Sequence, residues 1–479
     1  MWYLLLLIPA ALLVFVAVLL VRASRFTPKE QSKLSEEEVR VDQDRAVDAL
    51  CALVRCKTVS YTDHSKEDDA EFEKLIELLP TLYPNVAKHC EMTRLPDRGL
   101  LFRWQGKSEK NPAVLMAHYD VVPVNADAWD VDPFAAVVKD GRIFGRGTLD
   151  TKVTFGSILL SADTLIAEGF IPEHDVYFAF SGGEEVNGEG AIRIVDYFEG
   201  HGIEPAFVLD EGGAVVEGVF PGVTSPCGLV GIAEKGMMNV EYAAKSSGGH
   251  ASAPKPNAPI DRLAKTCTKV LANPFPIKLT PPVAEMFDTL GRHSSFVYRV
   301  IFSNLKIFLP VLNLICKKSG GEMNALMRTT VAFTQMQGSS AENVIPPRAS
   351  MVSNMRLNPH DTIESALEYL KKTVDDESVE IHLLHGMNPS RISRTDCEAY
   401  ERVVAAVRGT WPGSIVSPYL MMQCSDSRHY GAISDRVYRF SAMDLTAEER
   451  RTIHGHNERI RLDCLIRSVE FYIRLLQQC

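Results

Sequence analysis

No two cysteines in this chain stand at the C-x-x-C spacing; the ten are scattered from Cys51 to Cys479. That pattern is neither a disulfide framework nor a thiolate zinc site. Clusters of Lys and Arg are also missing, and the formal net charge is -10. Both facts argue against a nucleic-acid partner, because phosphate backbones are bound by grouped basic side chains. No N-x-S/T acceptor occurs, since Asn388 is followed by Pro389. Charge is absent altogether from Trp2 to Val21, WYLLLLIPAALLVFVAVLLV. At about 1.5 Å per residue this stretch is long enough to cross a hydrocarbon core of about 30 Å.

The segment lacks the basic start and short apolar run of a cleavable signal peptide, so an uncleaved anchor over residues 1–25 is expected. Arg22, Arg25 and Lys29 follow the span, and nothing basic but the amino terminus precedes it. By the positive-inside rule the bulk of the chain then sits on the cytoplasmic face, export by a signal anchor being the alternative. A polar linker at 26–43 leads to the soluble part. With 479 residues, the chain exceeds the size at which one core keeps growing, so a second domain is expected.

What the chain does have is acid and imidazole side chains at the ends of apolar runs. They are His118 and Asp120 in VLMAHYDVVP, Asp150 in GRGTLDTK, Glu184 and Glu185 in VYFAFSGGEEVNG, Asp210 and Glu211 in AFVLDEGG, and His454 in TIHGHNERI. Apolar runs alternate with helical patterns at Ala46–Arg55, Val153–Glu168 and Gly190–Glu199, which implies βαβ units. The fold class is therefore α/β, a mixed and largely parallel sheet sandwiched by helices. In such sheets ligands sit beyond the carboxyl ends of the strands, so these residues would converge on one crevice. Two imidazoles and several carboxylates suit a pair of Zn²⁺ ions bridged by one acid. Asp120 could hold the second imidazole nitrogen of His118, and either Asp210 or Glu211 could face the metal.

From about Lys235 the texture becomes that of an inserted α+β module, a lid or dimerisation domain at 235–386. It divides a metal-binding domain into parts at 44–234 and 387–479. Within the insertion, Phe287 to Leu314 is rich in apolar residues but interrupted by Arg299, Lys306 and Pro310. That is too broken for a second span; it reads as a core helix pair, or as an apolar surface for an acyl chain or the bilayer.

HYDVVP, GRGTLDTK, GGEEVNGEG, LDEGG, SGGHASAP, NVIPP and IHGHNE, in that order, resemble the zinc-dependent exopeptidase and amidohydrolase family of aminoacylase-1, carboxypeptidase S and glutamate carboxypeptidase. The resemblance runs from about residue 44 to the end, and is nearest to the branch of carboxypeptidase S and the N-fatty-acyl-amino-acid synthase/hydrolase. It implies one zinc on His118, Asp150 and Asp210, the other on Asp150, Glu185 and His454, with Glu184 as general base. It further implies that His250 in SGGHASAP stabilises an oxyanion, often in the partner subunit of a homodimer. Asn343, Arg356 and Arg428 would contact a small-molecule substrate, an N-acyl amino acid or a short peptide. The family usually has a second acid after the bridging aspartate; here that place holds Thr151.

Overall fold

The computed structural model describes residues 2–29 and 38–479; of the linker expected at 26–43, residues 30–37 lie outside the described residues. In chain order the first sheet begins with β1 (Cys90–Leu95), β2 (Gly99–Trp104), β3 (Ala113–His118), β4 (Val176–Ser181), β5 (Phe207–Val216) and β6 (Cys227–Glu234). A second sheet is made by β7 (Gly236–Lys245), β8 (Thr330–Gln337), β9 (Arg348–Leu357) and β10 (Val379–Met387). The chain then returns to the first sheet as β11 (Ile415–Met421) and β12 (Val437–Asp444).

The eight strands of the first sheet lie in the order β1-β2-β4-β3-β5-β12-β6-β11. Its centre is parallel, β4 with β3, β3 with β5 and β5 with β12, while β1 and β2 add an antiparallel edge. Strands buried on both faces must be apolar at every position, and AVLMAH of β3 and VYFAFS of β4 are buried throughout. Successive side chains alternate between the faces. Val114 and Met116 meet Ile194 and Phe198 of the helix Gly190–His201. Leu115 and Ala117 join the opposite core with α2 (Lys152–Ala167) and α7 (Leu462–Leu476). The opening helix expected at Ala46–Arg55 runs Gln43–Val54, started by Asp42, whose carboxylate accepts the Arg45 N–H at 3.1 Å.

The second sheet is antiparallel, in the order β8-β9-β7-β10. Helices Pro259–Ala272 and Ile363–Val374 bring Leu263, Val270 and Leu370 onto its Tyr242 and Met351. Not all of the expected insertion belongs to this body. α3 (Pro281–His293), α4 (Phe296–Phe302), α5 (Leu305–Ser319) and α6 (Gly321–Met327) fold back, and Val283, Phe287, Leu290, Phe302 and Met327 enter the first sheet's core. Their apolar faces match that core, so the expectation of one module from 235 to 386 is corrected to a sheet with two helices plus a helical return. The amino-terminal helix α1 (Trp2–Arg25) is long and apolar enough to cross a membrane and is largely exposed over Leu7–Arg25.

Candidate metal centre

The parallel register sets the site. His118 ends β3 level with Ser181 at the end of β4, so Glu184 and Glu185, in the turn after β4, meet the imidazole beyond the strand ends. Glu211 arrives from β5, Asp150 from the turn before α2, and His454 from the loop after β12. His118 Nε2 lies 3.0 Å from one oxygen of Asp150, 3.3 Å from Glu211 and 4.0 Å from Glu184. His454 Nε2 lies 3.0 Å from the other oxygen of Asp150 and 3.0 Å from Glu185. One carboxylate thus touches both imidazoles, each through a different oxygen.

The supports are mostly backbone groups. His118 Nδ1 donates to the carbonyl of Asp120 at 3.0 Å, nearer than the Asp120 carboxylate at 3.4 Å. The tautomer with Nε2 free is therefore set chiefly by that carbonyl. The Asp120 carboxylate instead accepts the N–H groups of Glu184 and Glu185, both at 3.2 Å, and so fixes the turn that carries them. A second clamp, not foreseen from the sequence, is Glu458. Fully buried, it accepts Arg146 Nη1 at 2.6 Å and the N–H groups of Gly147, Leu149 and Asp150 at 3.1, 2.7 and 3.2 Å. It ties the Asp150 turn to the His454 loop. The Asp150–Thr151 peptide is cis, and Thr151 Oγ1 is hydrogen-bonded to Thr154.

Crowded acids in a buried pocket shift one another. Burial pushes the Glu211 carboxyl up to about 7, and raises those of Glu184 and Glu185. Asp150 goes the other way: burial opposes its charge, but the bonds from His118 and His454 hold it below the usual carboxylate range. Hydrogen bonds to Asp150 and Glu185 lift His454 to about 10. Asp426, unnoticed in the sequence, is raised to about 7 by burial and is hydrogen-bonded by Ser181. A donor set of two imidazoles and several carboxylates suits divalent zinc. Glu185 Oε1 is buried without a hydrogen-bond partner among the described residues, an acceptor whose need a cation would meet. The residues present therefore fit a metal centre.

One expected ligand is not in this group. Asp210 and Glu211 are neighbours on a strand and face opposite ways; it is Glu211 that meets His118, while Asp210 turns to accept the Ser427 N–H at 3.0 Å. Asp210 is replaced by Glu211 in the candidate ligand set. Mutating the pair separates the two: Glu211→Gln should lose bound metal, whereas Asp210→Asn should keep most of it. Metal analysis after gel filtration measures this, and the reverse order would restore Asp210.

A cavity of about 1050 Å³ opens from this cluster. Its lining includes Asp150, Glu184, Glu185, Glu211 and His454 of this cluster together with Phe220, Met286, Leu290, Tyr298, Met323 and Leu326. The guanidinium in the wall is Arg450, whose Nε has no hydrogen-bond partner among the described residues. Arg356 is held one layer back, its Nη1 3.8 Å from Cys424 Sγ, and Cys424 lines the cavity. Arg428 is not offered to the cavity: it donates to the Asn388 carbonyl at 2.6 Å and lies 3.7 Å from buried Glu234. His250 and Asn343 are exposed, side by side at the two-stranded ladder of Gly249–His250 with Val344–Ile345, away from the cavity wall.

Comparison with known proteins places this geometry among relatives. The family model described as "Peptidase family M20/M25/M40" matches residues 114–478. An N-fatty-acyl-amino acid synthase/hydrolase of Xenopus tropicalis is 34% identical, over 97% of this chain and 93% of its own. A probable carboxypeptidase S-like protein of Dictyostelium discoideum is 32% identical, over 89% and 84%. Among solved structures, an M20 family metallo-carboxypeptidase of Sulfolobus solfataricus shares the fold, with a TM-score of 0.66 at 18% identity over 90% of this chain and 98% of that one.

Proposed function

The chain belongs to peptidase family M20/M25/M40, and from that membership we propose that it binds two zinc ions and cleaves an amide next to a free carboxylate, releasing the amino acid from an N-acyl amino acid. In this reading His118, Glu211 and Asp150 would hold one ion, and Glu185, His454 and Asp150 the other. The observation that supports it most is the Asp150 carboxylate, 3.0 Å from each imidazole through separate oxygens. Zinc, when bound, would supply acidification of a water and polarisation of the scissile carbonyl. Glu184, in the cavity wall and within 4.0 Å of His118, takes the water proton and passes it to the leaving amine. Asp120 holds Glu184 and Glu185 in place through their backbone.

The carboxylate of the substrate needs a cation. Arg356 and Arg450 are the candidates, since a guanidinium pairs with a carboxylate bidentately. His250 and Asn343, exposed together outside the cavity, are assigned to the site of a second copy, which makes the functional unit a homodimer. α1 is assigned as a membrane anchor on its length and apolar surface.

An acyl chain is favoured over a short peptide by the apolar part of the cavity wall. If the acyl chain lies there, each added methylene should improve kcat/KM until the cavity is full, by up to about fourfold at about 0.8 kcal/mol per buried CH₂. The test is a series of N-acyl phenylalanines from acetyl to oleoyl, each below its micelle concentration. A flat series with dipeptides turned over faster than every long-chain member would leave a membrane-tethered carboxypeptidase.

A further inference from the structure

Helix α5 carries an apolar stripe on the wrong side for a soluble protein. Ile307, Val311, Leu314 and Ile315 recur at helical spacing and are all exposed, Leu314 at 69%. On the preceding helix α4, Val297 is 71% exposed. A surface helix of a soluble protein turns its apolar stripe inward, and contiguous exposed apolar surface marks an interaction site. α4 and α5 meet at an angle of 101°, so the pair forms an elbow and not one straight helix. Exposed Lys306, Lys317 and Lys318 flank the stripe, the arrangement of a helix lying in a membrane interface.

What covers this surface is indicated by α1. At the elbow, Asn304 accepts from Arg22 Nη1 at 3.4 Å and donates to the Leu19 carbonyl at 3.2 Å. Arg22 is the first charged residue after the apolar segment, and Leu19 lies about one turn, about 4.5 Å, deeper along α1. The elbow therefore reaches below the level at which the anchor first shows charge. The next residues pin the same end of α1 to α3: Arg292 donates to the Thr27 carbonyl at 3.2 Å and stacks on Phe26, and Lys29 pairs with Asp288 at 3.1 Å. Tyr298, one residue after Val297 on α4, lines the cavity, as do Met286 and Met323.

We infer that the α4–α5 elbow is a second membrane contact, seated in the lipid interface beside α1, and that the cavity lined by Tyr298 of α4 receives the acyl chain of its substrate from the bilayer. The contact stands on the exposed stripe and the packing of α1, and rests on the anchor role proposed above for α1; the route of the substrate rests on the acylated substrate proposed above.

The experiment uses the full chain in phosphatidylcholine–phosphatidylserine vesicles, with a photo-crosslinking benzoylphenylalanine placed at Leu314. The same group goes at Leu271, also an exposed leucine, on the second sheet's helix. Lipid adducts are expected at 314 and not at 271. Equal labelling, or crosslinking of 314 to a second copy, overturns the contact. A Val311→Asp/Leu314→Asp variant should slow hydrolysis of vesicle-borne N-oleoyl-phenylalanine by about tenfold or more, since a carboxylate is costly among lipid tails. It should leave acetyl-phenylalanine unchanged. Equal loss on both substrates overturns the lipid route. If adducts form at 314 but the unaltered chain does not cleave the oleoyl substrate, the acyl reading and the route fail while the membrane contact stands.

Discussion

Glu184→Gln is expected to lower kcat by about 10²- to 10⁴-fold, the range that a positioned general base contributes, while the bound metal stays at the level of the unaltered chain. The amide keeps the shape of the side chain but cannot accept a proton. Metal retention follows from geometry: Asp150, Glu185 and Glu211 lie nearer the two imidazoles, at 3.0 to 3.3 Å, than Glu184 at 4.0 Å. Retained turnover would remove Glu184 from the role of base, and loss of metal would make it a ligand. Mixing these chains with His250→Ala chains gives a second readout. If His250 serves the partner's site, the mixed dimer contains one site with both groups intact, and activity returns. No recovery in a verified dimer would confine His250 to its own chain.

Glu458→Ala is expected to cost about 3–5 kcal/mol of stability, because it leaves the buried guanidinium of Arg146 without its carboxylate. Three backbone N–H groups of the Asp150 turn lose their acceptor in the same step. Urea unfolding would show a lowered midpoint. Arg146→Ala/Glu458→Ala should be much less unstable than the sum of the single changes, since removing both partners leaves no uncompensated charge. Additive losses would show that the two residues are not coupled. Metal affinity should fall with Glu458→Ala as well, for Arg146 also donates to the Gly455 carbonyl at 2.9 Å, beside His454. A variant as stable as the unaltered chain would reduce Glu458 to a bystander of the site.

Much of this was legible in one dimension. Apolar runs that end in His118, Glu184 or Glu211 announce strands, and a parallel sheet brings strand ends together whatever their distance along the chain. The run of such ends, with two imidazoles and no thiolate, was enough for a metallohydrolase of the α/β class, and its motifs were enough for the family. The uncharged segment before Arg22 was legible as a helix long and apolar enough to cross a bilayer core, which α1 is.

Other choices depend on which way a side chain turns, and sequence leaves that open. Asp210 and Glu211 are chemically alike and adjacent; only the pleat of β5 and the Ser427 N–H behind it decide that Glu211 meets His118. Arg356, Arg428 and Arg450 are equivalent as letters, yet Arg428 is drawn off by Glu234 and the Asn388 carbonyl, and Arg450 reaches the cavity wall. Glu458 looks like one more acid after a histidine until the chain closes on itself and brings it to Arg146, 312 positions away. The apolar stretch from Phe287 to Leu314 was open between core, acyl surface and bilayer. Packing assigned its parts separately: Phe287 and Leu290 to the first sheet's core, Leu290 and Tyr298 to the cavity wall, and the stripe of α5 to the outside. Local sequence determines which residues can be strand, helix or ligand, since those preferences act over a few bonds. Which of them share a site is decided by the long-range packing that turns one face of each element inward.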